Sequence, residues 1–66
     1  MSDEQERDFF ALQEDAARRI AHIVGVTSAA RSALAELDRR REAGEDAVIW
    51  RDGKRWIVGP LPSAAA

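Results

Sequence analysis

Between Asp3 and Val24 the apolar residues Phe9, Leu12, Ala16, Ile20 and Ile23 recur three or four positions apart, and Phe10, Ala17 and Val24 broaden the stripe. That spacing matches one face of a helix, so SDEQERDFFALQEDAARRIAHIV predicts an amphipathic helix whose stripe seeks the core. Ser2 or Asp3 can cap its start. The acids of its first turn suit the positive end of the helix dipole, and Arg18 and Arg19 lie toward the other end.

At GVTS the pattern forks. Gly25 followed by β-branched residues weakens a helix, and Thr27 or Ser28 is a competent cap for a new one. Yet Ile20, Ile23, Thr27, Ala30, Leu34 and Leu37 keep a heptad-like spacing across the glycine, which suits one coiled-coil helix of about 40 residues over 3–43. Four breakers and caps in a row favour two helices. The second, AARSALAELDRRREAG, is rich in helix formers and ends at Gly44 after an arginine cluster that suits a helix C-terminus. Its stripe is thin: Ala30, Ala33, Leu34 and Leu37.

The period then changes from 3.6 to 2. AVIWRDGKRWIVGP carries two runs rich in β-branched and aromatic residues around Asp52-Gly53, the signature of a hairpin with a type I′ turn. With those two residues at the turn centre, Arg51 pairs with Lys54, Trp50 with Arg55, Ile49 with Trp56, Val48 with Ile57 and Ala47 with Val58. One face then carries Ala47, Ile49, Trp56 and Val58, the other Val48, Trp50 and Ile57. A three-residue turn with a bulge at Gly53 is the alternative register. Neither face is polar. One face packs on the helices and the second wants cover, from a second copy, from another protein or from the helices of the same chain. Pro60 and Pro62 stop the strand, so residues 1–59 read as a single domain and 60–66 as a disordered tail.

Composition sharpens this picture. A chain of 66 residues buries little core, and cysteine is absent, so neither disulfides nor Cys-type zinc sites add stability. Partnership remains, which predicts a homodimer. Charged residues make up 33% of the chain but nearly cancel, for a net charge of -2. No field therefore favours nucleic acid or an anionic membrane. No stretch approaches a membrane span and MSDEQERD is unlike a signal peptide, so the expected location is cytoplasmic.

Candidate chemistry is sparse. His22 is the one histidine. It lies near Asp15, Arg18 and Arg19 on the first helix, but no nucleophile accompanies it, and it reads as a polar-face residue. Asp3-Glu4, Glu14-Asp15 and Glu45-Asp46 are adjacent in sequence, so within a helix the members of a pair diverge by roughly 100°, and no calcium-loop pattern accompanies them. The glycines are scattered and form no phosphate loop. The chain is thus expected to be no enzyme, with no cofactor and no small-molecule substrate.

IAHIVGVTSAARSALAEL resembles the helix-turn-helix of small bacterial regulators, and VIWRDGKRWIV resembles a winged-helix wing. The resemblance spans about residues 16–58 and implies a dimeric DNA-binding regulator using Arg31, Arg51, Lys54 and Arg55. It departs from the pattern in a turn about one residue short, in a first helix without an evident break before it, and in a second helix offering only Arg31, Ser32 and Ala35 to a groove. Residues 33–58 also resemble small lambda-type phage head-completion proteins, in which a helix runs through Gly into a DG hairpin, but those continue into a further helix where GPLPSAAA stands here.

The favoured expectation is an α+β chain of two helices and a C-terminal two-stranded antiparallel hairpin, assembled as a dimer. Its role would be to bind and modulate another macromolecule, most simply a protein, as an inhibitor, antitoxin-like partner or phage-type accessory protein does. The expected contact set is Trp50, Arg51, Arg55 and Trp56 with the neighbouring Arg39, Arg40 and Arg41, because Trp and Arg favour binding hot spots.

Overall fold

Gly53 takes φ +64°, a conformation costly for any residue with a side chain, and the chain reverses there. The computed structural model describes residues 3–23 and 28–62. In chain order these form α1 (Asp3–Ala21), α2 (Ser28–Glu42), β1 (Ala47–Asp52) and β2 (Arg55–Pro60), an α+β arrangement of two helices and one antiparallel hairpin. Two helices therefore form rather than one. His22 and Ile23 already lie beyond α1, their amides donating to Arg19 O and Ile20 O in tight i to i−3 turns. The caps expected from Ser2 and Thr27, the side chains of Asp3 and Ser28, and Val24 lie outside what the structure describes.

α2 ends as its Gly44 requires. With Gly44 at φ +91°, its N–H donates to Arg41 O and that of Glu45 to Arg40 O, which is the Schellman closure of a helix end. The chain then turns directly into β1.

The hairpin register differs from the expected one. The loop is Gly53-Lys54, not Asp52-Gly53, and the pairs are Asp52↔Arg55, Arg51↔Trp56, Trp50↔Ile57, Ile49↔Val58, Val48↔Gly59 and Ala47↔Pro60. Gly53 stands at the first central position, where either primed turn demands positive φ, and this leaves Asp52 extended within β1. Each partner has moved by two residues. An even shift keeps every side chain on its expected face, so the pairs changed while the faces survived.

The ladder reaches further than expected. Leu61 N–H donates to Asp46 O at 3.1 Å, one pair beyond Ala47↔Pro60, and the Leu61 side chain is 2% exposed. Pro60 belongs to β2 and Leu61 to the core, so the expected boundary at residue 59 falls two residues short. Pro60 is tolerated because it occupies a position whose N–H is not part of the ladder. Residues 63–66 of the expected tail lie outside the described residues.

The face bearing Ala47, Ile49, Trp56 and Val58 lies against the second helix, whose Ala33, Leu34 and Leu37 join them and Ala17 in one cluster. The thin stripe of α2 is therefore the core contact, with Leu37 fully enclosed. α1 behaves otherwise. Its inward residues are Phe10, Gln13, Glu14, Ala17 and Ala21, and of the predicted stripe Phe9, Leu12, Ala16 and Ile23 stand outside while Ile20 is half-buried. α1 is apolar over a wide arc, and the hairpin takes only one side of it.

Candidate interaction surfaces

Trp50 and Trp56 fall on opposite faces of the hairpin. Trp56 is half-buried against α2 and the core cluster. Trp50 is half-buried on the second face, with the Phe10 ring 5.7 Å away in an edge-to-face arrangement at 67°. Gly59 lies beneath it so closely that an added Cβ would come to 3.2 Å of Trp50 Cη2. The second face therefore receives cover within the chain: Phe10 of α1 reaches over it and the absence of a side chain at Gly59 lets the indole settle. Of the covers open to this face, the helices of the same chain supply part of it at Trp50, which stays half-buried.

The outer edge of β1 is covered, with Ala47 and Ile49 buried, and is bonded in part. Because Asp46 and Leu61 form a bonded pair, the alternation of an antiparallel ladder turns the backbone groups of Ala47, Ile49 and Arg51 away from β2. Arg51 N–H donates to Gln13 Oε1 of α1 at 3.1 Å, and Ala47 O accepts from Arg41 Nε at 3.3 Å and Nη2 at 3.2 Å. α1 and the end of α2 thus supply side chains where a neighbouring strand would otherwise bond.

Arg41 does more. Its Nη2 also sits 2.8 Å from Glu14 Oε1, and Glu14 Oε2 in turn meets Arg18 Nη2 at 3.0 Å, whose partner on α2 is Asp38 at 3.3 Å. Burial by itself raises the Glu14 pKa, but the hydrogen bonds from Arg41 and Arg18 and the two positive charges outweigh it and hold the carboxyl below its ordinary value. Arg7 and Asp46 at 3.0 Å close the same side of a small cleft of about 120 Å³ between α1 and the hairpin base. These ion pairs fasten α1 to the rest of the fold.

The expected arginine set consequently divides. Arg41 is a structural clamp, Arg40 is half-buried and 3.9 Å from Glu36, and Arg39 is exposed without an ion-pair partner among the described residues. Arg51 is exposed, its Nε donating to Gly53 O at 2.9 Å, which braces the turn. Arg55 and Lys54 are exposed at the hairpin tip. Arg31, of the DNA-binding alternative, donates from Nε to Ala21 O at 2.9 Å and so serves the end of α1. His22 is exposed in the turn after α1. Among the described residues no three His, Cys, Asp or Glu side chains gather as a metal site would require, and no helix is long and apolar enough to cross a membrane.

Among the described residues two surfaces remain open. The first is the outer side of β2. The ladder alternation that turns Arg51 outward also turns the N–H and C=O of Trp56 and Val58 away from β1, and no described residue bonds to them. Beside this edge runs a groove of about 320 Å³ lined by Ala29, Ser32, Ala33 and Glu36 of α2 with Trp56 and Val58, and Arg39 stands at its rim. Of the expected contact set, this groove brings Trp56 and Arg39 together.

The second is the outer stripe of α1, where Phe9 is 52% and Leu12 70% exposed, continued by Ile23, 52% exposed in the turn just after the helix. Asp8, Asp15 and Arg19 flank it, Arg19 pairing with Asp15 at 3.0 Å, so Asp8 sets an acidic margin. The period of these apolar residues marks a stripe and points it toward the core, whereas in the fold they stand at the surface. The available sign was their heptad spacing, shared by helices that bind a partner and helices that pack on their own fold. No protein-family model matches the chain, and no curated protein and no solved structure matches it either.

Proposed function

We propose that this protein is a non-catalytic interaction module that binds and modulates another protein while itself forming a homodimer. The observation that carries the reading is the outer stripe of α1: Phe9 and Leu12 stand half or more exposed on a helix whose other side is already packed, and Ile23 is equally exposed in the turn that follows it. Scattered exposed apolar residues are ordinary, but Phe9 and Leu12 share one helical face with Ala16, and Ile23 follows directly after the helix, which fits a helix laid into a partner's groove. The acidic margin at Asp8 fits a partner whose apolar groove has a basic rim.

Trp56 and Arg55 of the hairpin and Arg39 of α2 remain part of the contact set. Trp50 and Arg41 leave it, since Phe10 covers the first and Glu14 and Ala47 engage the second. The engagement of Arg31 and Arg51 with backbone carbonyls favours a protein partner over DNA, because it leaves Lys54 and Arg55 as the uncommitted cations of the DNA-binding set.

A photo-crosslinking residue at Leu12, with mass spectrometry of the adduct, identifies what the stripe meets, and binding of that protein is then measured with Leu12→Glu. The expected result is loss of binding with folding stability unchanged to within about 0.5 kcal/mol, as for an exposed position. Undiminished binding by Leu12→Glu would overturn the reading. An affinity that falls steeply with salt and needs Lys54 and Arg55 would instead support the DNA-binding alternative.

A further inference from the structure

We infer that the second copy docks edge to edge on β2, making one four-stranded antiparallel sheet across a two-fold axis at Ile57. This rests on the homodimer reading and names its surface.

The backbone supplies the first reason. β1 has its outer edge covered, Ala47 and Ile49 being buried while Gln13 and Arg41 take Arg51 N–H and Ala47 O, whereas β2 presents the N–H and C=O of both Trp56 and Val58 on residues that are only half-buried. Two copies related by a two-fold at Ile57 place Trp56 opposite Val58 of the partner subunit and Val58 opposite Trp56 of the partner subunit. All four exposed groups of each copy's edge are then bonded, in two reciprocal pairs. Sliding the axis to Val58 sets Pro60 against Trp56 and loses a donor, because proline has no N–H. Sliding it to Trp56 sets Ile57 against Arg55. The axis at Ile57 is the register in which the N–H and C=O of both Trp56 and Val58 all find mates.

Side chains agree with that choice. On the α2 side Trp56 meets Val58 across the seam, an aromatic and β-branched pair, and on the other side Ile57 meets its own copy while Arg55 faces Gly59 with no like charge opposite. Ile57 is half-buried in the single chain.

The helices fit as well. α2 packs on both strands, so it lies about one strand spacing, roughly 4.8 Å, from the axis, and the two copies of α2 come about 10 Å apart. That is the upper end of ordinary helix packing distance and suits helices that meet through small residues. The groove wall that faces the axis carries Ala29 and Ser32, with one acid, Glu36, and one base, Arg39. The seam is therefore neutral in sum, and the groove beside each β2 is filled by the other copy. A two-stranded ribbon is marginal and its open edge invites pairing; four strands under two helices remove both defects.

The test combines light scattering across a dilution series with amide hydrogen exchange on the same samples. Expected is a dimer in which the Trp56 and Val58 amides are protected and lose that protection as it dissociates. A dimer whose Trp56 and Val58 amides exchange as fast as that of Lys54 would overturn the β2 edge and leave the homodimer reading standing. A monomer at every concentration would overturn both. Because Ile57 faces itself, Ile57→Lys and Ile57→Glu should each weaken self-association by at least about tenfold, like charges being opposed, and a mixture of the two should associate again. Mixing without recovery, in variants that keep the wild-type circular dichroism, would also count against the axis.

Discussion

Trp50 and Trp56 are six residues apart on one ribbon and have the same chemistry, yet their neighbours give them different work. Trp50 is pinned between the Phe10 ring and the bare backbone of Gly59, so it belongs to the fold. Trp50→Ala should cost about 2–3 kcal/mol, below the value for a fully enclosed aromatic because the indole is only half-buried. A double-mutant cycle with Phe10→Ala, followed by urea denaturation, should return a coupling of about 0.5–1.5 kcal/mol for the ring pair. A coupling near zero would mean that Phe10 does not hold the indole. Trp56, beside the groove and the open edge, should report assembly instead.

At the scale of elements, Glu14 decides how α1 sits. It is reached from α2 by Arg41 and from its own helix by Arg18, which also bridges to Asp38. The sequence shows an i, i+4 pair in Glu14 and Arg18, but nothing local announces Arg41, 27 residues on. Since the folded carboxyl titrates below its ordinary value of 4.5, its contribution to stability is complete above that value and is lost as pH falls through the folded pKa. Glu14→Gln should therefore be less stable than wild type near neutral pH, by on the order of 1 kcal/mol given its partial exposure, and the gap should shrink below pH 4.5 and close as the pH falls through the folded pKa. Urea midpoints measured on both proteins across that range check it; a gap independent of pH would place the cost in packing rather than charge.

At the scale of the whole molecule, the core is small. Leu37, Ile49 and Leu61 are the largest fully enclosed side chains, and much of the remainder is alanine. Dimer formation on β2 would add to so modest a core by mass action, so the thermal midpoint should rise with protein concentration, and the rise should vanish in Ile57→Lys. Calorimetry over a hundredfold range of concentration reads this directly. The two proposed surfaces are separate, one on β2 and one on α1, so Leu12→Glu should leave the concentration dependence intact.

Much of this protein is written locally. The two helices, the thin Ala30, Ala33, Leu34 and Leu37 contact of α2, the glycine closures at Gly44 and Gly53, and the division of hairpin residues between two faces all follow from periods and backbone preferences that act within a few residues. Position along the chain settles which side chains share a face. It does not settle which face is used, and there tertiary structure decided. α1 offers an apolar arc wider than the hairpin can cover, so docking through Phe10, Gln13, Glu14 and Ala17 sends Phe9, Leu12 and Ile23 to the surface. The turn moved by one residue and the strand pairing by two, which the repeat of a strand cannot register because it has period two. Arg41 became a clamp because the Schellman turn brings the end of α2 beside both Ala47 O and Glu14. Local preference is summed over neighbours in sequence, whereas these outcomes depend on neighbours in space.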